Sequence, residues 1–331
     1  MNGSTGPSLK SSSVITRYAG NPVLSHKDVP YQATLVFNAG VCKYQGRYVM
    51  VFRNDFGRWG DTKLDGTNIG IAYSADGIKW DVQPNPCFAM KSDEISRAYD
   101  PRLTVIDGTV HMCFAVDTRH GLRGGIARTN DFETWEVLSL SAPDNRNMVL
   151  FPEKVDGKFA RLERPMPVYS RGSDRFDMWF SDSPDLKYWG NTNLVLGVEQ
   201  VPYANDKIGP AAPPIKTKKG WLTTIHAVDR DTHRTRNGWE SGPWQKRYTA
   251  GICLLDLAQP WKIIGMSQEP LIAPEAAYEC EGGFRNHVIF PGGMILEDTG
   301  EVKIYYGAAD TYECLATAHV DDLLALCKPC K

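Results

Sequence analysis

The chain lacks an excess of charge of either sign: 37 Lys and Arg stand against 39 Asp and Glu, a formal balance of −2. Without a basic footprint it has no electrostatic grip on nucleic acid or on an acidic membrane surface, and small molecules are the expected partners. No Pro/Ser-rich linker divides the 331 residues. The first segment, 1–13, has no apolar core of the kind a signal peptide or membrane anchor needs. It is expected to be a loose tail before a single domain spanning 14–331. Disulfide and metal signals are also lacking. Of the eight cysteines, Cys42, Cys113 and Cys253 lie inside apolar runs, as reduced core residues of a cytoplasmic protein do. Cys327 and Cys330 form a C-x-x-C, but a structural zinc needs four ligands and no second pair is spaced to supply them. No metal is expected, and that end is expected to be an exposed tail.

What the chain does have is repetition. A short alternating run following a glycine or turn recurs five times: GRYVMVFRND (46–55), GTVHMCFAVD (108–117), GKFARLERP (157–165), GWLTTIHAVD (220–229) and EVKIYYGAAD (301–310). Each predicts a β-strand ending on a charged or polar residue. A second run follows each of them, and in the first three copies Asp76, Asp131 and Asp185 precede Trp80, Trp135 and Trp189 by four residues. Asp256 precedes Trp261 by five, and the fifth copy, ECLATAHVDDLLAL (313–326), is degenerate. A further apolar run precedes each pair: TLVFNAGV, AYDPRLTV, NRNMVLFP, KIGPAAPPIK and FRNHVIFPGG.

About four strands per unit is the make-up of a propeller blade, and a repeated strand unit cannot bury its apolar face alone. The predicted fold is all-β, a five-bladed β-propeller around a central funnel. Units of about 66 residues exceed the roughly 40–50 of common propeller repeats, so the surplus is expected in loops.

Equivalent positions of the innermost strands converge in such a ring although they are far apart in sequence. That yields Asn38, Asp100, Arg102, Arg146, Lys207 and Asn286 from the inner strands. From the ends of the next strands come Arg53, Asp55, Asp117, Arg164, His226, Asp229 and Asp310. Taken singly, Asp55, Arg102, Asp117 and Asp229 are expected to be structural, each satisfied in an inter-blade hydrogen bond or in a salt bridge. Arg146, Arg164, Lys207 and His226 are different: three cations and an imidazole, expected from three different blades, would repel one another unless an anion sat among them. An oxyanion site, phosphate above all, is the expectation. Asp100 sits in YDPR, where Pro101 restricts the backbone of the residue before it, as suits a carboxylic acid that must be aimed. Glycoside hydrolysis needs two carboxylates. Phosphate as nucleophile makes the second unnecessary, because positioning and cationic stabilisation replace base catalysis.

With these segments in this order the chain resembles glycoside hydrolase family 130, the β-mannoside phosphorylases and their relatives. The resemblance runs from ITRYAGNPVL through FNAG, YDPR, NRNMVLFPEK, ARLERP, KIGPAAPP, GWLTTIHAV and YYGAADT, nearly the whole chain. It implies a five-bladed propeller that cleaves a terminal β-mannosidic bond with inorganic phosphate, inverting configuration to give α-D-mannose 1-phosphate. The reaction is reversible, so mannans can also be elongated. No cofactor is implied beyond phosphate as co-substrate, and the enzyme would be a glycosyltransferase of the phosphorylase type. The family's acid falls on Asp100, acting through a hydroxyl of the bound mannose. Its phosphate ligands fall on Arg146, Arg164, Lys207 and His226, and its mannose ligands on Asn38, Arg53 and Asp310. Tyr248 is the acceptor-side candidate because it follows the charged insertion 237–251. Trp59, Trp239 and Trp244 are sugar-stacking candidates, against loop packing. Two linkages stay open, β-1,2 and β-1,4. Two other readings stay beside the phosphorylase: a mannosyltransferase working mainly in synthesis from mannose 1-phosphate or GDP-mannose, and a hydrolysing β-mannosidase. Members of this family often form homo-oligomers.

Overall fold

The computed structural model describes residues 9–57, 64–167, 169–171, 175–231 and 245–329. Five antiparallel sheets form the five blades of a propeller. Blade 1 comprises Leu35–Tyr44, Arg47–Gly57, Leu64–Ser74 and Asp81–Val82 from the axis outwards, and blade 2 Ile95–Ile106, Thr109–Thr118, Gly121–Thr129 and Glu136–Leu140. Blade 3 comprises Asn145–Leu150, Phe159–Pro165, Met178–Ser183 and Gly190–Leu196. In blade 4 the inner position is shared by Lys207–Pro210 and Ile215–Thr217, followed by Gly220–Arg230, Lys246–Leu255 and Ile263–Met266.

Blade 5 departs from expectation. Ile289–Leu296, Glu301–Ala308 and Tyr312–His319 are its strands, but the end of the degenerate copy, Val320–Leu326, is a helix. The outer strand comes instead from the beginning of the chain, with Thr16 opposite Thr317 and Arg17 opposite Ala316. This closes the ring. The expected loose tail is docked in its described part: Ser12 N–H donates to the Leu271 carbonyl at 3.1 Å and Ser11 Oγ to the Ala273 carbonyl at 3.1 Å. The other end is docked as well. Cys327 is half-buried and Met266 and Lys328 exchange backbone hydrogen bonds of 2.9 and 3.0 Å, while Cys330 lies outside the described residues.

The Asp-to-Trp spacing now has a local cause. Asp76 Oδ1 accepts the N–H groups of Ile78 and Lys79, Asp131 those of Glu133 and Thr134, and Asp185 those of Lys187 and Tyr188. Such side-chain-to-backbone bonds hold a turn that an Ala could not. Trp80 and Trp261 reach the preceding blade: Trp80 meets Tyr305 of blade 5 edge-on at 5.8 Å, and Trp261 meets Phe180 of blade 3 at 5.4 Å. The repeat is thus an inter-blade wedge.

Ring closure rests on an ion pair with a wholly buried carboxylate. Arg17 Nε and Nη2 donate to the two oxygens of Glu279 at 2.8 and 3.0 Å. Arg17→Ala leaves that charge, among the described residues, with the Tyr306 hydroxyl and two backbone N–H groups, and is expected to destabilise the fold by about 3 kcal/mol, the low end for breaking a buried pair. Urea unfolding monitored by tryptophan fluorescence checks it; an unchanged midpoint would show that closure does not depend on this pair.

The inner strands carry the feature that builds the site. One extra residue shifts the register between Phe37 and Gly40, between Tyr99 and Arg102, between Arg146 and Val149, and between Pro291 and Gly293. At three of these bulges a non-glycine residue is left-handed: Asn38 (φ 52°), Asp100 (φ 54°) and Asn147 (φ 57°). Each such residue costs on the order of 1 kcal/mol. A bulge re-aims a side chain, here at the axis in blades 1, 2 and 3.

Candidate active site

A cavity of about 440 Å³ opens at the axis, and Asn38, Asp100 and Asn147 all line it. Asp100 is held on one oxygen. Asn38 Nδ2 donates to Oδ1 at 3.0 Å and Arg53 Nη1 to the same oxygen at 3.2 Å. Arg53 is itself immobilised by Asp55, whose Oδ2 accepts from Nη2 at 2.6 Å and whose Oδ1 accepts from Thr67 Oγ1 at 2.6 Å. Burial alone would push the Asp100 carboxyl up. Arg53, Arg102, the Asn38 amide and Arg146 outweigh it and hold the group below the usual carboxylate range. Across the cavity Asp310 accepts from Arg285 Nη1 at 3.2 Å, and burial pushes its carboxyl up against the opposing pull of Arg285 and Arg53. Tyr99 links the two halves of the site: its hydroxyl donates to Asp117 Oδ1 at 2.8 Å and receives Arg146 Nη1 at 3.4 Å.

Beyond Arg146 the basic groups gather. Arg146 faces Arg164 across one strand pair of blade 3, and His226 faces Gly209, two residues beyond Lys207, across one pair of blade 4. The two blades are joined here, because Phe176 bridges to Lys207 and its ring lies under both Arg164, at 5.1 Å, and the Lys207 ammonium, at 5.7 Å. A Cβ on Gly209 would come within 2.5 Å of His226 Cε1 and 2.9 Å of Arg164 Cδ. Only glycine lets that arginine and that imidazole close over the strand. Arg164 and His226 are each 1% exposed.

Among the described residues no carboxylate forms an ion pair with Arg164, Lys207 or His226. Asp206 is near it but accepts from Lys246 Nζ at 3.0 Å. Arg146 Nε and Arg164 Nε and Nη2 are buried with no hydrogen-bond partner among the described residues. Burial, reinforced by Arg146, pushes Arg164 down to about 9. Burial, with Arg164 and Lys246, pushes Lys207 down to about 6, and burial with Arg164 and Lys207 holds His226 well below its ordinary value. His226 Nδ1 donates to the Pro210 carbonyl at 3.2 Å, which leaves Nε2 for a ligand, and the ring stacks on Phe290 at 4.7 Å. Buried, mutually repelling cations with unused donors form a receptor for an oxyanion.

The sequence profile of glycoside hydrolase family 130, described as β-1,4-mannooligosaccharide phosphorylase, matches residues 11–329. The chain belongs to that family. A β-1,4-mannooligosaccharide phosphorylase of Ruminococcus albus is 35% identical over 326 residues, covering 94% of this chain and 90% of its own. A 1,2-β-oligomannan phosphorylase of a Thermoanaerobacter species is 29% identical, with 93% and 98% covered. Among solved structures, β-1,2-mannobiose phosphorylase from Listeria innocua in complex with β-1,2-mannobiose superposes with a TM-score of 0.81 at 25% identity, over 94% of this chain and 98% of the other.

In this family-130 chain the structure brings Asp100, Asn38, Arg53, Arg146, Asp310 and Tyr248 to one cavity. Arg164, Lys207 and His226 sit behind Arg146, in mutual electrostatic contact. The expected spread over three blades is corrected to two, because Arg146 and Arg164 share blade 3 and Lys207 and His226 share blade 4. Arg102 does not line the cavity. It is 4% exposed and donates to the carbonyls of Asn38, Pro101 and Ala211. Asn286 does not line it either; its Oδ1 accepts the Gly283 N–H at 2.9 Å and shapes the loop that carries Phe284 and Arg285. Trp59, Trp239 and Trp244 lie outside the described residues.

Sequence reasoning missed Asn147, Tyr99 and Arg285. Asn147 was within reach: NRNM places it one residue after Arg146, in the bulge position that Asn38 has in FNAG and Asp100 in YDPR. Among the described residues no group of three or more His, Cys, Asp or Glu side chains is placed to hold a metal, and no helix is long and apolar enough to cross a membrane.

Lys207 carries a pH prediction. With its ammonium pushed down to about 6, the free protein holds a largely neutral amine at neutral pH, whereas a bound phosphate dianion stabilises the charged form. Phosphate binding at about pH 7.5 should therefore take up about one proton. Calorimetry in buffers of different ionisation enthalpy reads that uptake, which Lys207→Met should remove; binding with no proton exchange in the native protein would refute the placement.

Proposed function

We propose that this protein is an inverting β-mannoside phosphorylase. It splits the terminal β-mannosidic bond of short mannosides with inorganic phosphate, releasing α-D-mannose 1-phosphate, and in reverse it elongates mannosides; it belongs with the hexosyltransferases of the phosphorylase type. The observation that carries the reading is the pairing of one aimed carboxylate, Asp100, with an unneutralised cluster of Arg146, Arg164, Lys207 and His226. A hydrolase needs a second carboxylate to activate water. Here cations occupy that side.

The chemistry balances without a proton from solvent. Hydrogen phosphate dianion brings one proton, the C1–O bond breaks, a phosphate oxygen bonds C1 from the opposite face, and the proton leaves on the acceptor hydroxyl. Asp100 relays it. In the free site Arg53, Arg102, Asn38 and Arg146 keep Asp100 ionised. A phosphate dianion on Arg146 cancels part of that field, so the carboxyl can take a proton on Oδ2, the oxygen that Asn38 and Arg53 leave free, and pass it on through a mannose hydroxyl. Asn38, Arg53 and Asp310 hold the mannose, and Tyr248 borders the acceptor. The free, buried thiols of Cys42, Cys113 and Cys314 support a reducing compartment, the cytoplasm.

Incubation with β-1,2- or β-1,4-mannobiose and phosphate, scoring mannose 1-phosphate, tests the reading and sets the linkage. Free mannose released at the same rate without phosphate would overturn it in favour of a hydrolase.

A further inference from the structure

Outside the lining of the cavity, two buried side chains, the guanidinium of Arg102 and the carboxyl of Glu313, grip one peptide unit from opposite ends; burial pushes the Glu313 carboxyl up to about 8, so it acts as a largely neutral acceptor. The unit joins Asn38 to Ala39, within the blade 1 bulge. Its carbonyl accepts from Arg102 Nη1 at 3.2 Å, and its N–H donates to Glu313 Oε2 at 3.0 Å. Arg102 comes from blade 2 and Glu313 from blade 5, and they are 4% and 0% exposed. The same Nη1 donates to the Pro101 carbonyl at 2.7 Å, the residue after Asp100, and Nε reaches the Ala211 carbonyl of blade 4 at 2.8 Å. Above this grip the side chains of Asn38 and Asp100 bond to each other. The two left-handed bulges are therefore tied twice, by side chains in the cavity and by one guanidinium nitrogen below it.

Glu313 has no other evident task at the axis. Its Oε1 is buried without a hydrogen-bond partner among the described residues, so the Ala39 N–H is the contact that its carboxyl group serves there. Room for the arrangement is set by glycine: a Cβ on Gly292 would stand 1.8 Å from the Ala39 carbonyl oxygen. A left-handed asparagine does not stay in place unaided. If the peptide turned, the Asn38 amide would leave Asp100 Oδ1, and the carboxyl would lose one of the donors that set its orientation and charge.

We propose that Glu313 and Arg102 are positioning residues for the reaction: by clamping the Asn38–Ala39 peptide between them, they hold the Asn38 amide on Asp100 and so aim the acid. The inference rests on the role assigned above to Asp100 and Asn38. The phosphate cluster, on blades 3 and 4, lies outside the clamp.

Glu313→Met keeps the length of the side chain and removes the acceptor; Glu313→Gln keeps an acceptor. With β-mannobiose and phosphate as substrates, Glu313→Met is expected to lower kcat by about 30-fold with the phosphate KM within twofold of the native value, and Glu313→Gln to restore at least half of the native kcat. Arg102→Lys, which keeps the buried charge but cannot bridge three carbonyls, is expected to follow Glu313→Met and decides the matter should the latter not fold. A folded Glu313→Met or Arg102→Lys protein with native kcat overturns the clamp. So does an equal loss in Glu313→Gln and Glu313→Met, or a loss accompanied by a matching rise in phosphate KM. Asp100→Asn run in parallel separates the failures: if it keeps activity, the reading of the site falls; if it is inactive while Glu313→Met is native-like, the clamp alone falls.

Discussion

Asp100→Asn is expected to reduce mannose 1-phosphate formation by about 10³-fold, or about 4 kcal/mol, within the range that general acid catalysis supplies. The fold should be kept, and the structure gives the reason. Position 100 requires a left-handed backbone (φ 54°), which asparagine already occupies at the equivalent bulges, Asn38 and Asn147. The amide oxygen of the variant can still accept the two hydrogen bonds that Asn38 and Arg53 direct at Oδ1. What disappears is a group that can take a proton and release it. Turnover measured with phosphate saturating, alongside a thermal melt by circular dichroism, checks both halves. Activity within tenfold of native in a folded Asp100→Asn protein would remove Asp100 from the mechanism.

Lys207→Ala is expected to raise the phosphate KM by about 100-fold, equivalent to about 2.7 kcal/mol, the size of a hydrogen bond to a charged group, while the mannoside KM stays within a few-fold. Lys207 is the informative member of the cluster. Arg164 is wholly buried, so truncating it would leave a hole, and Arg146 also touches Tyr99 beside Asp100. The Lys207 side chain, pushed down to about 6 by burial, Arg164 and Lys246, is a largely neutral amine in the free protein at neutral pH, so its loss should cost the fold little. Initial rates over a phosphate series settle the point. An unchanged phosphate KM would mean that the anion binds elsewhere; a rise in mannoside KM alone would place Lys207 on the sugar side.

The difference in legibility between the two halves of the site has a physical origin. Asp100 stands out in YDPR because the proline that follows restricts its backbone, a local constraint written within four residues. The basic groups stand out as a set whose like charges need an anion. How they are distributed is not local. Assigning them to three blades treats Arg146 and Arg164 as members of separate units, whereas the strand pair Asn145–Leu150 and Phe159–Pro165 sets them opposite each other. Arg102 shares the inner-run pattern of the true cavity residues but not their direction, because the blade 2 bulge inserts one residue and turns the following side chain to the other face of the sheet, whereas Asn286 precedes the inner strand of blade 5 and is held in a loop by the Gly283 N–H.

From the order of residues alone came the five strand units, the Asp-to-Trp turns, and the chemical inventory of one carboxylic acid beside a proline and four basic groups that call for an anion. All of these depend on short-range periodicity and on charge, which do not require the chain to be folded in order to be counted. Tertiary structure alone decided that the segment around Thr16–Arg17 closes blade 5 in place of the degenerate fifth copy. It alone also placed Glu313 against the Asn38–Ala39 peptide, 275 residues from Asn38 in the chain as 313 less 38. Those outcomes are set by ring closure and by the register of bulged strands, both of which come from contacts between blades and leave no trace in any single stretch of sequence.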